Sequence, residues 1–387
     1  MDKRKLVICA VIAVLGVAFA FQVSGKALSI PDFIQSIKAM SFTPKFTVHN
    51  GSGCTDQPQV VGLNVADNGQ LRQLAKYQSL CASGVTKTLM VFTGIPTTKA
   101  ESEDMARDMG ATLREFASFG VTPLVVAEPT GPMGEVNMTD LAAGTYDEWL
   151  TGYFANIKKA GVTPEQMGTW VPLPEPNVPL WTPKNRTPQT FTEGVNHYLL
   201  AARKVYPNLQ ASVMLNAATY SADDTTWSNQ QYLSLTPYLR GIKRGLVQSV
   251  GVQGFPWLPP ANAKGVGSLD AQVFLDTRIA KGAADTLGVR TIWLNTGTFA
   301  GQHTNKPSTK VVMAPDRRAQ VLEGITAQAT KLKKQGYDVA INLFAEDKSK
   351  ASEGTDWSYF GSAEPILQDA IAKWQTAGVR LWLFDAE

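Results

Sequence analysis

Residues 87–127, KTLMVFTGIPTTKAESEDMARDMGATLREFASFGVTPLVVA, hold one complete strand–helix–strand unit. Lys87–Thr93 is an apolar run of strand length. Glu101–Phe119 repeats Met, Leu and Phe at helical spacing, and Pro123–Ala127 returns to a strand. The same alternation extends in both directions. Upstream lies Val60–Val65, followed by a helical pattern through Leu71, Leu74 and Tyr77. Downstream come the runs Thr169–Leu173, Gln210–Leu215, Val247–Gln253, Arg290–Leu294 and Asp338–Phe344. Helical stretches separate them at Asp147–Ala160, Thr192–Val205, Leu233–Arg244, Ala271–Leu287, Pro315–Gln335 and, after the last run, Pro365–Ala377. Eight strands alternating with eight helices imply parallel pairing through right-handed crossovers, and the count predicts an α/β fold of (β/α)8 TIM-barrel type. An open doubly wound sheet would carry a Gly-rich loop after its first strand, whereas Val65–Gly69 contains one glycine. Arg380–Phe384 is a further apolar run to which the pattern assigns no partner.

The 387 residues are 44% hydrophobic and 18% charged, an ordinary globular composition, with a net charge of +3. No basic tail or patch marks a nucleic-acid partner. Lys3, Arg4 and Lys5 precede an apolar run from Leu6 to Phe21, and Ala18-Phe19-Ala20 forms a small-x-small site. This pattern predicts a signal peptide over residues 1–25 or, if uncleaved, a membrane anchor, and with it a secreted or cell-surface protein. Residues 26–55 read as a linker or strap and 56–387 as one barrel domain, expected to be a monomer. Cys54 and Cys81 remain beyond the apolar run, and export makes a disulfide between them the expectation, with two unpaired core thiols as the alternative. The scattered His49, His197 and His303 show no metal-ligand spacing, and no cofactor is implied.

Barrel sites form at the C-terminal strand ends. The residues standing there are Asp67 after the first run, Glu128 after the third, and Glu175 with Asn177 after the fourth. Asn216 and Tyr220 follow the fifth, Gln253, Phe255 and Trp257 the sixth, Asn295, Thr296 and Thr298 the seventh, and Glu346 the eighth. Trp181 and Trp357 fall in loops, while Trp170 and Trp293 fall inside strands, where a core role is expected. Carboxylates, amides and aromatic rings on one rim suit a polysaccharide or glycan, whose ring faces stack on aromatics while its hydroxyls bind polar groups. A lone strand-end Glu can equally cap the following helix, and Asp147 and Glu148 suit the first turn of one.

The segment LAAGTYDEWLTGYFANIKKAG (141–161) followed by GTWVPLPEPNVPLW (168–181) resembles glycoside hydrolase family 26, which includes β-mannanases. Gly144, Tyr146 and Asp147 match the family's segment before the fourth strand, and Glu175 and Asn177 match its acid/base motif. PLVVAEP (123–129) and YLRGIKRGLVQSVGVQGFPW (238–257) resemble its third- and sixth-strand segments, so the likeness runs over roughly residues 57–365. It implies a glycosidase barrel with Glu175 as general acid/base. The chain departs from the family at Pro174, where a His is expected. It departs again in RTIWLNTGTFAG (290–301), where Thr296 stands in place of the nucleophilic Glu. Hydrolysis then needs a second carboxylate from another strand end, Glu128, Glu346 or Asp67, by inversion or with a shifted nucleophile. The competing expectation is a carbohydrate-binding barrel that has lost its chemistry.

Overall fold

The computed structural model describes residues 88–383 except 119, 132–133, 177–185, 217–235, 257–268, 304–309, 345–346, 349–354, 358 and 360–363. The N-terminal segment, the Val60–Val65 run, Cys54 and Cys81 therefore lie outside the described residues. Among the described residues no helix is long and apolar enough to cross a membrane.

Eight parallel strands form one sheet. They are β1 (Thr88–Thr93), β2 (Thr122–Ala127), β3 (Thr169–Pro172), β4 (Gln210–Asn216), β5 (Ser249–Gln253), β6 (Thr291–Gly297), β7 (Asp338–Phe344) and β8 (Arg380–Leu383), hydrogen-bonded in that order. Six long helices run between them: α1 (Lys99–Ser118), α2 (Asp147–Lys159), α3 (Pro188–Val205), α4 (Thr277–Leu287), α5 (Pro315–Lys334) and α6 (Glu364–Thr376). The sequence supplies no partner for Arg380–Phe384, but the structure places it parallel to β7, from Ala340–Arg380 to Leu343–Leu383.

Two apolar clusters reveal the layering. Val125, Trp170, Val213, Val250, Ile292 and Ile341 face outward and pack with helix residues such as Leu113, Phe154, Leu199 and Ile325. The alternate positions Met90, Leu124, Val126, Val171, Met214, Trp293 and Ala340 form a second cluster. Those residues come from six strands between β1 and β7, which in a flat sheet would span about 29 Å. Only a curled sheet brings them together. Trp293 fills this interior, donating from Nε1 to Ser212 Oγ at 2.7 Å. Gly251 opposite it has no room for a side chain, because a Cβ there would lie 2.1 Å from the indole.

Local chemistry fixes the helix ends. Thr187 caps α3 in a reciprocal box with Thr190, with Pro188 at the first helical position. The Ala271–Leu287 stretch reads as one helix in the sequence, but Asp276 interrupts it and caps α4 instead. Gly288 ends α4 in the left-handed conformation at φ 68°. The family-like Gly144 is a packing joint: its φ is +77°, and a Cβ would meet His197 Cε1 at 2.7 Å. Beside it, His197 Nδ1 lies 3.0 Å from both oxygens of Asp147 in the first turn of α2.

Candidate functional site

The end of β3 is the most unusual stretch of backbone described. Leu173 and Glu175 are the two non-glycine residues with positive φ among the described residues, at 54° and 48°. Such left-handed residues each cost roughly 1 kcal/mol or more and persist only where surrounding structure holds them. Here Leu173 N–H donates to Ala127 O on one side and Glu175 N–H to Met214 O on the other, both at 2.8 Å. Strand alternation would point Leu173 into the barrel, yet its side chain packs outward, close to Gly194 of α3. Arg186 closes the turn, its Nη2 donating to Leu173 O at 2.7 Å and Pro174 O at 2.6 Å.

This turn presents Glu175 to a belt of amides. Asn216, Gln253, Asn295 and Asn342 stand in register on β4, β5, β6 and β7. Asn342 Nδ2 donates to Asn295 Oδ1 at 2.8 Å, Asn295 Nδ2 to Gln253 Oε1 at 2.7 Å, and Gln253 Nε2 to Glu175 Oε1 at 3.0 Å. Asn216 Nδ2 donates to the same Oε1 at 2.8 Å. Among the described residues every donor of this series therefore runs toward one carboxylate oxygen, and a proton on the carboxyl belongs on the other, Oε2.

Burial pushes the Glu175 carboxyl up to about 7, against the Asn216 hydrogen bond and the Arg186 cation, which favour ionisation. The negative charge of Glu128, at the end of the neighbouring β2, opposes ionisation further. Glu175 keeps partial solvent access while its carboxyl lies deep among protein atoms. Asn216→Ala removes a donor to the ionised form. It is expected to cost about 2 kcal/mol at pH 8 and less at pH 5, where Glu175 is protonated. Denaturant melts at the two pH values check this.

Aromatic residues form a wall beside the belt. The ring of Trp357 lies 5.1 Å from Phe255, 5.5 Å from Phe344 and 5.9 Å from Phe299, in edge-on contacts. Trp357 follows a small antiparallel sheet built on the loops after β6 and β7, from Gly301–His303, Lys310–Val312, Asp347–Lys348 and Thr355–Asp356. A buried clamp ties the first of these loops to α5. Arg318 Nε donates to Thr298 Oγ1 at 2.9 Å and its guanidinium lies 4.3 Å from the Tyr359 ring, while Thr298 N–H donates to Tyr359 Oη.

Of the residues expected at the site, the structure brings together Glu175, Asn216, Gln253 and Asn295, with Glu128 in electrostatic reach and Phe255 and Trp357 beside Phe344. Thr296 is not among them. It is fully buried on the strand face of Ile292 and Leu294, toward the helices, and Asn295 is the inward-facing residue at that strand end. Trp170 and Trp293 are core residues, as expected. Glu346, Asp67, Asn177, Trp181, Tyr220 and Trp257 lie outside the described residues. Asn342 and Arg186 are additions. The first sits within an apolar run and the second beside a helix cap, and neither position announces a site role.

No protein-family model and no curated sequence matches the chain. Solved structures do. One, of fungal β-1,4-galactanases, is 13% identical over 76% of this chain and 90% of that one, with a TM-score of 0.50. Another, the virulence factor SghA from Agrobacterium tumefaciens, is 10% identical over 80% and 87%, also at 0.50. The shared feature is the barrel fold. At these identities the likeness establishes architecture, and the resemblance to family 26 remains one of short segments.

Proposed function

We propose that the chain is a glycoside hydrolase acting on a neutral polysaccharide or glycan, with Glu175 as general acid/base. The observation that carries this reading is the convergence of Asn216 and Gln253 on Oε1 of a left-handed, deeply set Glu175. It leaves Oε2 to hold a proton near neutral pH and pass it to a glycosidic oxygen. A buried acid with a pKa near the working pH is what proton donation to a leaving group requires. The structural neighbours support the reading as far as fold allows: the galactanases share the architecture.

Departure of the protonated leaving group develops positive charge on the sugar ring, and a second carboxylate must meet it. Glu128 fills that role in this proposal, since its charge already reaches Glu175. Ionised, it can deprotonate the attacking water or bond to the anomeric carbon itself. The aromatic wall around Trp357 offers a sugar-ring platform, and the amides offer partners for hydroxyls. The leader-like N-terminus supports a site of action outside the cytoplasm.

A second reading keeps the binding site without the chemistry, because the inward residue at the end of β6 is an amide, Asn295, and its neighbour Thr296 is no carboxylate either. A panel of neutral polysaccharides separates the two. Release of reducing ends by the full chain is the expected result, and retention of a polysaccharide on the protein with no release would favour the binding barrel.

A further inference from the structure

We propose that Arg186 is the positioning residue of the site: its guanidinium fixes the left-handed end of β3 and sets a buried positive charge behind the turn that carries Glu175. The catalytic consequence rests on reading Glu175 as the acid, but the structural and electrostatic consequences do not.

Arg186 is only 5% exposed, with the ring of Phe191 5.4 Å from its guanidinium carbon. Its two hydrogen bonds, both from Nη2, go to the carbonyls of Leu173 and Pro174, the peptide groups inside the turn that carries Glu175. One donor nitrogen thus bridges two consecutive carbonyls that would otherwise repel each other. Nε and Nη1 are buried without a hydrogen-bond partner. The cation is therefore not neutralised by a contact of its own, and the carboxylate whose charge reaches it is that of Glu175. Burial lowers the guanidinium to about 10, which leaves it cationic at neutral pH.

The groups acting on Glu175 come from each neighbouring element. Arg186 before α3 favours the ionised form, Glu128 of the β2 end opposes it, and Asn216 and Gln253 are neutral donors from β4 and β5. Among the described residues, removing this cation leaves burial and Glu128 unopposed by charge. A neutral side chain that merely packed the turn would leave the Glu175 titration alone.

The full chain, labelled with 13C at the glutamate carboxyls, can be titrated by NMR, with Glu175→Gln identifying the resonance. The expected midpoint is near 7 for the parent, about one pH unit or more higher in Arg186→Met, and within half a pH unit in Arg186→Lys. Lysine keeps the charge but lacks the planar guanidinium, so its variant is expected to melt at a lower temperature. A folded Arg186→Met whose midpoint equals the parent's overturns the proposal. Should Arg186→Met fail to fold, Arg186→Lys decides. A lowered melting temperature with a retained midpoint upholds the proposal, while an unchanged melting temperature or a displaced midpoint overturns it. A chain that hydrolyses no glycan yet shows the Arg186 effect defeats the glycosidase reading alone. A hydrolase whose midpoint ignores Arg186 defeats only the positioning role.

Discussion

Glu175→Gln is expected to lose about two to four orders of magnitude of glycoside turnover and, above pH 7, to be more stable than the parent. The turnover loss follows from removing the proton that Oε2 would deliver. The gain in stability follows from linkage. Burial raises the folded carboxyl from 4.5 to about 7, so the folded state favours the protonated form. Its contribution is complete below pH 4.5 and disappears as pH rises through 7. Glutamine never ionises and is spared that loss, while its carbonyl oxygen can still accept from Asn216 and Gln253. At about 1.4 kcal/mol per pH unit the difference approaches about 3 kcal/mol at pH 8, reduced by the partial solvent access of the residue. At pH 4 the two proteins are expected to unfold at the same denaturant concentration. Urea melts at pH 4 and pH 8 measure both halves, and a variant less stable than the parent at pH 8 would contradict the buried-acid description.

Gly251→Ala is expected to be the most damaging single methyl addition in the barrel interior. The new Cβ would lie 2.1 Å from Cζ2 of Trp293 and 2.2 Å from Cε2, inside a cluster drawn from six strands that has little freedom to expand. Trp293 cannot simply turn away, because its Nε1 is committed to Ser212 and it is fully buried. A cost of about 3 kcal/mol is expected, at the upper end of overpacking penalties. Adding Trp293→Leu should recover part of it, although it sacrifices the indole hydrogen bond. Thermal melts of the single and double variants check this, and additive losses would mean that the two residues do not share the interior as described.

The alternation of strands and helices was readable because each strand buries two faces and each helix one, which leaves short apolar runs between amphipathic stretches. The same reading found Glu175, Asn216, Gln253 and Asn295, since polar residues directly after such runs fall on the barrel rim. Asn342 was hidden because DVAINLF is a continuous apolar strand in which only the pairing partner, Asn295, reveals a polar neighbour. Thr296 looked equivalent to Asn295 from order alone, and strand parity separates them: one faces the helices, the other the belt. The left-handed turn leaves no sequence mark, since Leu173-Pro174-Glu175 contains no glycine and its conformation is imposed by Ala127, Met214 and Arg186 from elsewhere. Likewise β8 owes its place to a partner some forty residues earlier, and the small sheet beneath Trp357 joins two different loops.

The most direct test of Glu175 as the acid compares leaving groups. Parent and Glu175→Gln can be assayed on a pair of glycosides that share a sugar but differ in leaving group, one a dinitrophenolate that departs unprotonated, the other an alkoxide that needs a proton. The expected result is a loss for the alkyl glycoside at least tenfold larger than for the dinitrophenyl glycoside. An equal loss on both substrates, or none on either, would contradict the assignment.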